Sequence, residues 1–241
     1  MTHTFRALVA TALLALGMTS AMAQGHEATI RKALSERLPQ MPKIEEITAT
    51  PLPGIYELRL NNNEIYYSDA AGNYLIQGNL IDTKTKRNLT EEREAKLNAI
   101  DFSALPLKDA ITLVHGNGKR KLAVFEDPNC GFCKRFERDL AKVDDVTVYV
   151  FLYPVLGPDS MEKSKAVWCA KDPAAAWVAL MTREQAPGAG NCNTAAIERN
   201  LEFGRKHKIT GTPTLVAVNG QRVPGAINTA QIEKLLADAA R

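Results

Sequence analysis

The sequence predicts a two-part α/β protein: a small α+β unit, a polar connecting helix, and a larger α/β layer domain over residues 109–241. Three observations predict it. After residue 109, apolar β-branched runs alternate with helical patterns, the signature of a layered α/β domain. Before residue 86 the apolar pattern has a period near two, broken by turn-forming clusters. The chain of 241 residues is also longer than one small domain needs.

The chain opens MTHTFRALVATALLALGMTSAMAQ, where Arg6 precedes an apolar run from Ala7 to about Met18 that ends in Ala21-Met22-Ala23. A basic start, a short apolar centre and an A-x-A site predict a cleaved secretory signal over residues 1–23, with Gln24 opening the mature chain. The run is shorter than the roughly 20 residues a helix needs to cross a bilayer, and no other stretch approaches that length. The expectation is an exported, soluble protein. The net charge of +3, with KTKR at 84–87 as the sole basic cluster, gives no footing for nucleic acid or a membrane surface.

Within residues 24–86, Ile30, Leu34 and Leu38 recur every four residues until Pro39, predicting a short amphipathic helix. GIYELRL, EIYYSD and NYLIQGNLID, separated by NNN and DAAGN, read as an antiparallel meander. A unit of roughly 60 residues without cysteine buries too little surface to be comfortably stable alone, so it is expected to pair with its own copy. NLTEEREAKLNAI follows, with Asn88 placed to cap and Glu91 three residues on. Its narrow stripe of Leu89, Leu97 and Ile100 predicts a linker helix within 87–108 that bridges the domains through solvent, with Pro106 as a hinge.

From residue 109 the expected order is strand (AITLVHG), turn (NGKR), strand (KLAVFED), helix, and strand (VTVYVFL). Then come a helical region (SMEKSKAVWCAKDPAAAWVALM), a helix (TAAIERNLEFGRKHK), a turn and strand (ITGTPTLVAVNG), QRVPG, and a closing helix from Thr229. There is no internal repeat or low-complexity segment.

The chemistry concentrates in DPNCGFCKRF. Cys130 falls where a strand gives way to a helix, so unpaired N–H groups and the positive end of the helix dipole stabilise a thiolate there. That marks Cys130 as an attacking nucleophile. Cys133 shares the inward helix face with Phe136 and Leu140, which marks it as the shielded, resolving thiol. A metal site would need two further close ligands, and the other two cysteines stand 23 positions apart. Lys134 in place of His removes the c-type haem pattern.

Four cysteines in an exported chain suggest disulfides. With Cys130 and Cys133 assigned to redox work, Cys169 and Cys192 are left to each other, closing a loop that stabilises by roughly 3.5 kcal/mol on the chain-entropy account. Cys169 beside Trp168 looks like core. Thr212-Pro213 enters an apolar strand, where a generic turn proline and a cis proline both fit. Glu126 and Asp127 are weighed as proton acceptors for Cys133 against the commoner solvated or helix-capping roles.

Taken together, FEDPNCGFCKRF, WCAKD, the late Cys192, GTPTLV and NGQRVPG resemble the DsbC/DsbG family of bacterial periplasmic protein-disulfide isomerases, over essentially the whole mature chain. The resemblance implies a thioredoxin fold with an inserted helical segment over 109–241, and a V-shaped homodimer made by residues 24 to about 86. Cys130 would be the nucleophile, Cys133 the resolving thiol, Cys169–Cys192 the structural bridge and Pro213 a cis proline beside the thiols. Thr212 would offer backbone pairing to a bound extended peptide.

It implies a periplasmic isomerase or reductase with chaperone activity, acting on misfolded disulfide-containing exported proteins. No dissociable cofactor is needed, and a membrane reductase of the DsbD type would keep the pair reduced. The readings held against it are a DsbG-like reductase or chaperone, a dithiol oxidase of the same fold, a holdase, and a metal-binding module. Two departures stand out. Thioredoxins carry a buried Asp six positions before the first active-site Cys, where this chain has Val124, so the acceptor for the Cys133 proton is unassigned. Phe132 stands where the family more often has Tyr.

Overall fold

The computed structural model describes residues 25–188 and 190–240, so the expected signal at residues 1–23 lies outside the described residues. The chain divides into two compact units between Leu97 and Asn98, inside the segment expected to be a linker.

The first unit begins with helix α1, residues 25–37. Its buried face is Ile30, Ala33 and Leu34, while Leu38 falls beyond the helix and is largely exposed. Ile30 and Leu34 pack with Leu58 in a small core flanked by Met41, Ile44, Ile47, Tyr56 and Tyr66. An antiparallel sheet runs in the order β1 (Ile44–Ala49), β2 (Ile55–Leu60), β3 (Ile65–Asp69) and β4 (Leu75–Ile76). Strand β1 was not legible as a strand. Its register shifts between Ile44 and Glu46, and such a bulge breaks the period of two on which the reading relied. The expected strand NYLIQGNLID divides: β4 closes the first sheet, and β5 (Ile81–Asp82) pairs with β6 (Arg87–Asn88) in a separate hairpin.

Helix α2 (Leu89–Leu97) starts as expected, with Asn88 Oδ1 accepting from the Glu91 N–H at 3.2 Å. It does not bridge through solvent. Thr90 is buried against Tyr67, its hydroxyl oxygen accepting the Leu80 N–H at 2.8 Å, and Arg93 pairs with Glu57 at 2.9 Å and Glu46 at 2.8 Å. The helix docks on its own sheet through polar groups, which an apolar-stripe criterion cannot see.

The second unit is a five-stranded sheet of order β11–β10–β8–β9–β7, built from β7 (Ile111–His115), β8 (Arg120–Glu126), β9 (Val146–Leu152), β10 (Thr214–Ala217) and β11 (Arg222–Pro224). Only β8 and β9 run parallel, with helix α3 (Gly131–Leu140) between them in sequence. Although β7 and β8 are joined by a turn, β9 lies between them. The long helical region resolves into α4 (Pro158–Trp168) and α5 (Pro173–Arg183), followed by α6 (Ala195–Lys206). The break falls where Asp172 caps α5, accepting from Ala175 N–H at 3.0 Å, with Pro173 in the first turn. Helix α7 (Thr229–Ala239) closes the chain behind a reciprocal Asn228–Gln231 capping box.

Strand alternation splits the β8 side chains between two cores. Ala123 and Phe125 face one that includes Phe151 and Tyr153, the Phe125 ring stacking on Phe151 and Phe203 at 4.7 and 5.8 Å. Leu122 and Val124 face the other, with Phe136, Leu140, Trp177, Met181 and both thiols of the CGFC segment. Helix α6 approaches Tyr153 so closely that a Cβ on Gly204 would sit 2.3 Å from its ring. A glycine is required there, and the Tyr153 hydroxyl then donates to the Ile209 carbonyl at 3.0 Å.

Candidate active site

Cys130 is the N-cap residue of α3, with the Lys134 N–H bonded back to its carbonyl at 3.1 Å. Strand β8 delivers the chain to this point through Asp127, whose carbonyl accepts the Cys130 N–H at 3.1 Å. The Cys130 side chain keeps a sliver of exposure, 6 %, while Cys133 has none. Cys133, Phe136 and Leu140 all point inward, as their spacing predicts, and Phe132 is exposed with the Arg135 guanidinium 5.5 Å from its ring centre.

Four of the predicted site residues come together. The Cys130 thiol donates to the Thr212 carbonyl at 3.3 Å, and the Thr212–Pro213 peptide is cis. Pro213 therefore enters β10, which begins at Thr214, directly beside the helix that carries the dithiol. Cys169 and Cys192 are disulfide-bonded, with 5.5 Å between Cα atoms, and tie the end of α4 to the loop before α6. Cys169 and Trp168 are half-buried, with Trp168 packed against the core as the helical apolar pattern suggests, while Cys192 is exposed.

Glu126 and Asp127 are both fully buried, neither solvated nor at the N-cap position, which Cys130 takes. Asp127 is saturated with donors. One oxygen accepts from the Asn129 N–H at 2.8 Å and the Ser160 hydroxyl at 2.7 Å; the other accepts from the Val155 and Leu156 N–H groups at 2.7 and 2.9 Å. It fixes the loop that presents the exposed apolar side chains of Val155 and Leu156. Lys163, on α4, reinforces this corner through the Asn129 side chain at 2.8 Å.

Glu126 is different. It lies two residues beyond Val124 on the same face of β8, and neither of its oxygens meets a backbone, hydroxyl or cationic donor. Its neighbours are the Cys133 thiol and the Glu137 carboxyl, with Cys130 beyond. Glu137, one helical turn after Cys133, is itself buried and accepts the indole N–H of Trp177 at 2.7 Å. Burial, and then the charge of Glu137, push the Glu126 carboxyl well above the usual carboxylate range. Burial also raises Glu137, opposed by its bonds from Glu126 and Trp177. Burial, above all, pushes the Cys133 thiol far up as well. Glu137 was not singled out from sequence; its position four residues after Cys133, on the inward face, was the available signal.

A shielded thiol and a marginally exposed thiol one helical turn apart, beside a cis proline on an α/β sheet, define a thiol:disulfide oxidoreductase of the thioredoxin-like class. Among the described residues no group of three His, Cys, Asp or Glu side chains converges to hold a metal ion. Residues 107–240 match the family model of a thioredoxin-like domain, and residues 21–91 match that of the disulfide bond isomerase protein N-terminal domain. The chain is 41% identical over 207 residues to the probable thiol:disulfide interchange protein DsbC of Bordetella parapertussis, covering 85% of this chain and 73% of that one. It is 29% identical over 217 residues to Escherichia coli DsbC, covering 87% of each. A solved structure of a disulfide interchange protein from Neisseria gonorrhoeae superposes with a TM-score of 0.55 at 38% identity, over 57% of this chain and 99% of that one. The chain belongs to the DsbC family of thiol:disulfide interchange proteins.

Proposed function

We propose that this protein rearranges non-native disulfides in exported proteins, with Cys130 as nucleophile and Cys133 as resolving thiol. The observation that carries the reading is the asymmetry of the pair: Cys130 caps α3 at the surface edge, while Cys133 is sealed in the core beneath it. The Cys130 thiolate attacks one sulfur of a substrate disulfide, forming a mixed disulfide and expelling the other sulfur as a thiolate. That thiolate attacks elsewhere in the substrate and eventually displaces Cys130, which leaves the substrate isomerised. Otherwise Cys133 displaces the substrate and leaves it reduced. Neither route needs a dissociable cofactor.

The backbone at Thr212 and Pro213 supplies the surface for an extended substrate segment, and Phe132, Val155 and Leu156 offer apolar contacts for an unfolded chain. The Cys169–Cys192 bridge serves structure only. Residues 24–86 serve dimerisation, supported by the modest core of the first unit and by the exposed Tyr74, Leu75 and Ile76 at its sheet edge. The protein works in the periplasm after removal of residues 1–23. A membrane reductase of the DsbD type returns the pair to the dithiol, and the apolar surfaces support chaperone activity.

The test is reactivation of a scrambled multi-disulfide protein by the reduced mature chain in a weak thiol buffer, with Cys130→Ala alongside. Catalytic return of native activity with the wild type and none with the variant is expected. If scrambled substrate persists while reduced substrate is rapidly oxidised by the disulfide form, the protein is an oxidase instead.

A further inference from the structure

Resolution by Cys133 requires its proton to leave a site that no water reaches. Creating a sulfur anion there beside existing buried charge is costly unless a negative charge departs at the same moment. The groups that face the sulfur are few. From β8 comes Glu126, from the residue after it the Asp127 backbone N–H, and from the start of α3 comes Cys130. Behind Glu126 stands Glu137, held by the Trp177 indole N–H from α5 and facing His115 at the end of β7. Glu126 is thus a fully buried carboxyl without a backbone, hydroxyl or cationic partner, neighboured by the Cys133 thiol and the Glu137 carboxyl.

We propose that Glu126 and Glu137 form a proton relay that takes the Cys133 proton during resolution and returns it on re-reduction. This rests on the function proposed above. With Cys133 as a thiol the pair holds one proton, on Glu126, and the single negative charge sits on Glu137. In the resolving step one Glu126 oxygen accepts the Cys133 proton while the other passes its own proton to Glu137. The Cys133 thiolate then attacks Cys130 Sγ; the Cys130–Cys133 bond forms, the Cys130–substrate bond breaks, and the substrate leaves as a thiolate that solvent protonates. The core holds one negative charge before the step and moves it to sulfur during it. On re-reduction one thiolate of a second dithiol attacks Cys130, the electron pair of the broken bond goes to Cys133, which takes its proton back from the relay, and the other thiolate of that dithiol then displaces Cys130 and leaves as part of a disulfide. Glu126 is the catalytic residue in this scheme and Glu137 the positioning residue that supplies the charge.

The experiment uses the full mature chain and an aromatic disulfide reagent whose released thiolate is coloured. Rapid mixing with reduced protein gives two phases: attack by Cys130, then resolution by Cys133. Glu126→Gln is expected to slow the second phase about 100-fold at neutral pH, the scale of lost general acid–base catalysis, with the deficit closing as hydroxide replaces the carboxyl at high pH. Glu137→Gln is expected to slow it about tenfold and to move the bend in its pH profile. Wild-type rates and profile for the second phase in Glu126→Gln overturn the relay. Absence of the first phase in the wild type removes the proposed function, and the relay with it. If Glu126→Gln does not fold, infrared difference spectra of the wild type decide. A buried carboxylic acid band that changes between dithiol and disulfide supports the relay; an unchanged band overturns it.

Discussion

Glu126 and Asp127 are consecutive residues at the end of β8, both wholly withdrawn from water, and their surroundings are opposite. The Asp127 carboxyl accepts two backbone N–H groups of the 155–156 loop, the Asn129 N–H and the Ser160 hydroxyl, so every lone pair it needs is used. The Glu126 carboxyl, pointing to the other side of the strand, finds a thiol and a second carboxyl. Burial is common to both, so burial does not separate a structural acid from a reactive one. The hydrogen-bond accounting does: a satisfied buried group holds a loop, while an unsatisfied one is a cost the fold carries for chemistry.

That contrast is open to measurement. Asp127→Ala should produce the largest change, a loss of about 3–5 kcal/mol, because three backbone N–H groups and a hydroxyl lose their acceptor together. Urea unfolding at pH 7 measures it, and a loss below 1 kcal/mol would mean that the Asp127 cage is not what holds the 155–156 loop. Glu126→Leu combined with Glu137→Gln should move stability the other way, a gain of about 1–3 kcal/mol, since the buried carboxyl pair and its charge give way to an apolar side chain and a neutral amide that still accepts from Trp177. Disulfide isomerisation should fall in the same variant, the trade-off expected where a destabilising group is functional.

A pH series sharpens the comparison further. Glu126 and Glu137 are both raised above their ordinary value of 4.5 in the folded protein. Their contribution is therefore fully present below about pH 4.5 and is lost as pH rises toward their folded values, with a slope of at most about 1.4 kcal/mol per pH unit for each proton released. Carboxylates held low by partners, such as Asp109 by Arg199, have the opposite sign and lose their contribution as pH falls below their ordinary 3.8. Above pH 4.5 the urea midpoint should fall with rising pH in the wild type and stay flatter in Glu126→Gln; parallel curves would refute the assignment. The smallest effect belongs to Ser160→Ala. Removing one of four donors to Asp127 should cost about 1 kcal/mol in the same unfolding assay, and no isomerase activity.

Much of the architecture was legible because it rests on local pattern. The spacing of Cys133, Phe136 and Leu140 gave the inward face of α3, Asn88 gave the start of α2, and Thr229 gave the start of α7. The elements that local pattern does not reveal break the local rule. In β1 the bulge after Ile44 puts its two isoleucines three residues apart, and α2 docks through Arg93 and Thr90 rather than through an apolar stripe. The place of β9 between β7 and β8 follows from pairing across the sheet, which neighbouring residues do not encode.

For the site, the sequence alone determined the dithiol and its position at a strand-to-helix junction, because two thiols at this spacing and a helix start are both local features. Tertiary structure decided what surrounds them. It brought Thr212, with Pro213 next to it, from 82 residues away to the Cys130 sulfur, joined Cys169 to Cys192, and set Glu137 between the Trp177 indole and Glu126. The physical reason is the same in each case: the reactivity of a buried group depends on which charges and donors the fold places within a few ångströms, and those arrive from distant parts of the chain.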